Sequence, residues 1–122
     1  MKKILDKNFK KPITCLTAYS SSIAKILNGN VDLVLIGDSL GTTLYGMKNV
    51  RGVTLDMMKV HGLAVTKNID KRITVIDMPY KTYENKSEAL KNAKELIKYT
   101  NAKMLKIEIN KKNLEIIKHL SS

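Results

Sequence analysis

The sequence predicts an α/β fold built on a parallel sheet, and three observations carry that prediction. Apolar runs of strand length alternate with stretches of helical periodicity. One run, Val31-Asp32-Leu33-Val34-Leu35-Ile36, is branched and almost uninterrupted, as in strands covered on both faces. Charged and hydroxyl residues then follow the runs: Gly37-Asp38-Ser39 after the second, Asp77 before Met78-Pro79-Tyr80 in the third, and Lys106 with Glu108 in the fourth. The carboxyl ends of parallel strands are where α/β folds bind ligands.

Taken in order, residues 1 to 11 are lysine-rich and read as a short cap or tail. After Pro12, Ile13-Thr14-Cys15-Leu16-Thr17-Ala18 reads as the first strand, with Cys15 a small buried hydrophobe. Tyr19-Ser20-Ser21-Ser22 offers helix N-caps, Ile23, Ala24, Ile26 and Leu27 form an apolar stripe, and Gly29 stops the helix. The second strand follows from Val31. Residues 39 to 52, with Gly41, Gly46 and Gly52, read as an irregular, mobile loop. Thr54 caps a helix carrying Leu55, Met58, Leu63 and Val65, and Ile73-Thr74-Val75-Ile76-Asp77 is the third strand. A further helix runs from Ser87 through Leu90, Ala93, Leu96 and Ile97, with Glu88 and Glu95 on its solvated face. The fourth strand is Lys103-Met104-Leu105-Lys106-Ile107-Glu108, and Leu114, Ile116, Ile117 and Leu120 mark a last helix. The order βαβαβαβα fits either a doubly wound sheet or part of a (βα)8 barrel.

Composition narrows the function classes. At 122 residues the expectation is one domain, 1–122. No apolar run approaches the ~20 residues of a membrane span, and the N-terminus has no signal-peptide core, so no membrane partner is expected. The lone Cys15 suits a reducing, cytoplasmic compartment. A net charge of +11 raises nucleic acid as a partner, yet the charge is nearly all lysine and spread along the chain. Aromatics are 5% and none pairs beside basic residues for base stacking, so nucleic-acid binding is not the expectation.

The chemistry lies at the strand ends. Two aspartates, Asp38 and Asp77, converge if their strands are near, and two hard oxygen ligands with room for water describe a Mg²⁺ site. Glu108 can join the metal or one of its waters, and Lys106 can pair with an anionic substrate group. Ser39 can present its hydroxyl and N–H to a carboxylate. The competing readings are loop capping for an aspartate and a local turn hydrogen bond for Ser39. His61, in a helical pattern, reads as a surface or packing residue, and His119 as a helix C-terminal cap. No Cys/His cluster supports zinc, and the glycines match no nucleotide-binding loop.

Five segments go further: Leu16-Thr17-Ala18-Tyr19, Ile36-Gly37-Asp38-Ser39-Leu40-Gly41, Val53-Thr54-Leu55-Asp56-Met57, Asp77-Met78-Pro79-Tyr80 and Lys106-Ile107-Glu108. In order and spacing they resemble ketopantoate hydroxymethyltransferase over about residues 12 to 110. The resemblance implies the N-terminal half of a (βα)8 TIM-type barrel, about four βα units, from a homo-oligomeric enzyme. It implies transfer of a hydroxymethyl group from 5,10-methylenetetrahydrofolate to 3-methyl-2-oxobutanoate in pantothenate synthesis. It places Mg²⁺ on Asp38 and Asp77, with Glu108 a further ligand, and the keto acid on Ser39 and Lys106 beside the two aspartates.

The sequence also departs from that family. Tyr19-Ser20 replaces a usual Tyr-Asp, Arg51-Gly52 replaces Leu-Pro before Val-Thr, and Glu108-Ile109-Asn110 replaces Glu-Gly-Gly. The family's general-base glutamate lies beyond Ser122, and a whole barrel takes about 250 residues. The expectation is therefore a chain inactive alone, needing self-association or a complementing C-terminal-half chain. The rival readings are another Mg²⁺-dependent α-keto-acid barrel, such as the phosphoenolpyruvate mutase and isocitrate lyase group, and a non-catalytic fragment or binding module.

Overall fold

Four strands, β1 (Cys15–Thr17), β2 (Leu33–Ile36), β3 (Ile73–Asp77) and β4 (Met104–Lys106), form one sheet in the computed structural model, which describes residues 12–110 and 114–121. The helices are α1 (Ser21–Leu27), α2 (Leu40–Tyr45), α3 (Leu55–Thr66), α4 (Lys86–Thr100) and α5 (Leu114–Ser121), with a 3-10 turn at Val50–Gly52. Sheet order is β1-β2-β3-β4 and every neighbouring pair is parallel. Each strand lies beside its predecessor, so the order never reverses. The described sheet therefore has no topological switch point of the doubly wound kind. The unreversed order is consistent with part of a (βα)8 barrel.

The helices start where side-chain oxygens satisfy free backbone donors. Thr54 Oγ1 accepts from the Met57 N–H at 3.2 Å, and Asn85 Oδ1 from that of Glu88 at 2.9 Å. Ser20 is the α1 cap. The core forms where the helices cover the sheet: Val34, Ile36, Leu40, Met58, Val65, Ile76 and Leu96 are all fully buried. Burying one such side chain contributes about 1.5–3 kcal/mol before entropy is counted. Gly62 lets α3 come close: a Cβ there would fall 2.6 Å from Ile76 Cδ1 and 2.7 Å from Thr100 Cγ2.

Several expectations need correction. Residues 39 to 52 are not an irregular loop. They hold α2 and the 3-10 turn, because Leu40 and Gly41 are buried and Gly46, at φ 62, ends the helix in the left-handed region. Cys15 is exposed rather than buried, because β1 is an edge strand whose three residues are all exposed. The α1 stripe is narrower than expected: Ala24 and Leu27 are buried, while Ile23 and Ile26 are exposed. Glu95 is exposed but not merely solvated, since it binds Lys59 of α3. The lysine-rich residues 1 to 11 lie outside the described residues.

Candidate functional site

Asp77 closes β3, and the sheet register decides what surrounds it. It pairs with Lys106 on β4, so the two side chains leave the sheet on one face. Lys106 Nζ lies 2.7 Å from Asp77 Oδ1 and 2.8 Å from Glu108 Oε1. On the other side Ile36 pairs with Ile76, which sets Gly37 and Asp38 beside Asp77. The Asp38 N–H donates to Asp77 Oδ2 at 3.2 Å. Gly37 permits the tight passage: a Cβ there would fall 2.9 Å from Ser39 Oγ and 3.5 Å from Asp77 Oδ2.

Charge and burial conflict here. The Asp77 side chain is only 5% exposed. Its Oδ1 is buried, and the Lys106 ammonium, 2.7 Å away, is the cation that faces it. A carboxyl oxygen with one such neighbour keeps a lone pair to offer. Asp38 is pushed above the ordinary carboxylate value, first by burial and then by the Asp77 carboxylate, with Lys106 opposing. Burial alone would lower Lys106. Its contacts with Asp77 and Glu108 outweigh that and push it up to about 12, so the ammonium is permanent at neutral pH. Crowded carboxylates against one ammonium favour a further cation.

The donor set suits a dication that takes two protein carboxylates and fills its other positions from water or substrate. Among the described residues no group of three or more His, Cys, Asp or Glu side chains could hold a metal by itself. Glu108 is mostly exposed and faces Lys106. Asp38, Asp77, Lys106 and Glu108, predicted from strand ends, therefore meet at one rim.

Ser39 joins them through a contact the sequence did not announce. It begins α2 without capping it, and its hydroxyl instead lies 2.7 Å from the Tyr19 hydroxyl, beyond the end of β1. His61 of α3 holds Tyr19 in turn, with Nδ1 2.7 Å from the Tyr19 carbonyl and Nε2 2.9 Å from the Tyr45 hydroxyl. A carbonyl only accepts, so Nδ1 carries the proton, and in the neutral ring Nε2 accepts from Tyr45. Tyr19 and His61 were assigned no role at the rim from sequence. The only available signal for Tyr19 was its place in Leu16-Thr17-Ala18-Tyr19. His119 falls in the last turn of α5, where a C-terminal cap was expected.

Comparison with known proteins agrees with this arrangement. A 3-methyl-2-oxobutanoate hydroxymethyltransferase of Pelagibacter ubique is 48% identical over 122 residues, covering 98% of this chain and 48% of that protein. Enzymes of the same name from Rhizobium etli and Anaplasma marginale are each 45% identical. Those alignments cover 91% and 86% of this chain, and 41% and 39% of the relatives. The chain thus spans under half the length of these curated relatives. The family model for ketopantoate hydroxymethyltransferase matches residues 1–122, and the chain belongs to that family.

Proposed function

We propose that this chain carries the metal- and keto-acid-binding part of a hydroxymethyl transfer from 5,10-methylenetetrahydrofolate to 3-methyl-2-oxobutanoate, giving 2-dehydropantoate. The observation that carries the reading is the buried Asp77 carboxylate within the Asp38–Asp77–Lys106–Glu108 cluster. Family membership supplies the substrates. Asp38 and Asp77 would hold Mg²⁺, and Glu108 would reach it through water. A bound dication withdraws electrons from the keto oxygen and acidifies the neighbouring C–H.

This chain's own residues orient and neutralise. Lys106, charged throughout the neutral range, pairs with the keto acid's carboxylate while Asp77 and Glu108 hold its ammonium in place. Ser39, aimed by Tyr19, donates to a substrate oxygen. The β-carbon proton needs a positioned base, and Asp56 is engaged elsewhere, paired with Lys59. We further infer a (βα)8 barrel closed by later strands, in the same or a complementing chain, within a homo-oligomer. Exposed Ile13, Leu16, Ile23 and Ile26 along β1 and α1 support a covering partner.

Calorimetric titration tests the reading. Mg²⁺ should bind in the presence of 3-methyl-2-oxobutanoate, and Asp77→Asn should abolish most of that binding. Lys106→Met should weaken the keto acid more than the metal. Unchanged metal affinity in both Asp38→Asn and Asp77→Asn would remove the site. The alternative of another Mg²⁺-dependent keto-acid barrel shares the aspartates, and is separated by whether tetrahydrofolate binds.

A further inference from the structure

A single imidazole ties together the elements that present Ser39. His61 lies midway along α3, with Nδ1 2.7 Å from the Tyr19 carbonyl and Nε2 2.9 Å from the Tyr45 hydroxyl. The His61 and Tyr45 rings meet at right angles, their centroids 5.8 Å apart. Tyr45 is the last residue of α2, a helix of six residues, and Ser39 stands immediately before its first. The Tyr19 hydroxyl lies 2.7 Å from Ser39 Oγ. α2 is therefore fastened at its start by Tyr19 and at its end by His61, and His61 fastens Tyr19 as well. The circuit Ser39–Tyr19–His61–Tyr45 closes through the helix itself.

Docking of α3 does not depend on this histidine. Met58, Gly62 and Val65 are the buried face of that helix, and His61 lies beside them, only partly buried. A neutral imidazole offers one donor and one acceptor on a rigid ring. Here the donor meets a carbonyl and the acceptor meets a hydroxyl, so both ring nitrogens are used. The consequence falls on Ser39, which makes no cap bond to its own helix. A hydroxyl has one proton and two lone pairs. With the Tyr19 hydroxyl donating to Oγ, the Ser39 proton is free to point at a substrate oxygen. Tyr80, after β3, is by contrast already engaged. The Arg51 guanidinium carbon lies 5.2 Å from its ring centroid, and Lys81 Nζ lies 5.8 Å from it, on a backbone at φ 64.

We propose that His61 is a positioning residue for keto-acid binding and acts through Tyr19. The Nδ1 proton holds the Tyr19 backbone, the Tyr19 side chain aims its hydroxyl at Ser39, and the Ser39 proton is left for the substrate. The Tyr45 bond to Nε2 keeps the ring in this tautomer and orientation. His61 itself does not meet the substrate. The proposal rests on the hydroxymethyl-transfer reading and deepens it by naming what sets the Ser39 hydroxyl.

The test is calorimetric titration of the full chain with 3-methyl-2-oxobutanoate at saturating Mg²⁺, with a melting curve for every variant. An asparagine amide reaches the place of Nδ1, and a glutamine amide reaches that of Nε2. His61→Asn should keep the Tyr19 bond and bind the keto acid within about twofold of the native protein. His61→Gln should keep only the Tyr45 bond and bind about tenfold more weakly, the scale of one lost hydrogen bond. In a Tyr19→Phe background, where Ser39 has lost the hydroxyl it leans on, His61→Gln should add no further loss. A merely structural histidine would give losses that follow the melting temperature and add across the two sites. Native-like affinity in His61→Gln, equal losses in the two His61 variants, or an additive loss on Tyr19→Phe overturns the positioning role and leaves the hydroxymethyl-transfer reading standing. Loss of the melting transition in both His61 variants makes His61 a folding residue and also overturns it. Absence of keto-acid binding by the native protein overturns both readings.

Discussion

β1 and β3 are short, apolar strands of the same parallel sheet, yet they live in different surroundings. Every residue of β1 is exposed, and its one described neighbour is β2. β3 lies between β2 and β4 under α3, and ends on an aspartate with 5% of its side chain exposed. Their sequences, Cys-Leu-Thr and Ile-Thr-Val-Ile-Asp, do not announce this difference. Burial is decided by what the strand is placed between. A charge is enclosed at β3 because its neighbours remove water and supply Lys106 and the Asp38 N–H. Among the described residues no comparable enclosure exists beside β1.

Removing core volume should break the comparison most visibly. Ile76→Ala, at a fully buried β3 position, should cost about 2–5 kcal/mol in urea unfolding. Leu16→Ala, at a β1 position that is 54% exposed, should change stability by no more than about 0.5 kcal/mol. Comparable losses from the two would mean that β1 is covered in solution, as in the proposed assembly.

A smaller effect concerns the start of β1, where Asp32 accepts from the Thr14 N–H and hydroxyl, both at 2.9 Å. Those bonds, the backbone one first, hold its carboxyl below the ordinary value of 3.8. A depressed folded-state value means that this contribution is present above 3.8 and is lost as pH falls through the lower, folded value. The melting-temperature gap between the native protein and Asp32→Asn should therefore be full at about pH 6 and close by about pH 2. A gap unchanged across that range would assign it to something other than the ionised carboxylate.

The gentlest probe is Cys15. Partial burial raises its thiol above the ordinary value, so labelling of the native chain should proceed but need alkaline buffer. Slower labelling as protein concentration rises would show a second chain covering β1. A rate independent of concentration would leave that strand uncovered.

The elements that sequence reading recovered best are those fixed by local periodicity and short-range caps. The third strand was read with its observed bounds, and Thr54 caps α3 as expected. The strand-end residues Asp38, Asp77, Lys106 and Glu108 were legible because register in a parallel sheet brings successive carboxyl ends to one rim. Three things were hidden. Glycines at 41, 46 and 52 suggested a loop, although Gly41 is buried in helix and Gly46 is the helix stop. Exposure of Cys15 depends on sheet position, which periodicity does not encode. The Tyr19–Ser39 and His61–Tyr19 contacts join residues 20 and 42 apart in sequence, beyond any local signal.

The backbone of Lys81 sets heat resistance against surface charge at a single position. At φ 64 a lysine carries about 1–2 kcal/mol of conformational cost that glycine would not. Selection for a higher melting temperature alone would favour glycine there and discard the cation beside Tyr80. A glycine at position 81 should therefore raise the melting temperature while removing one of the two cations beside the Tyr80 ring.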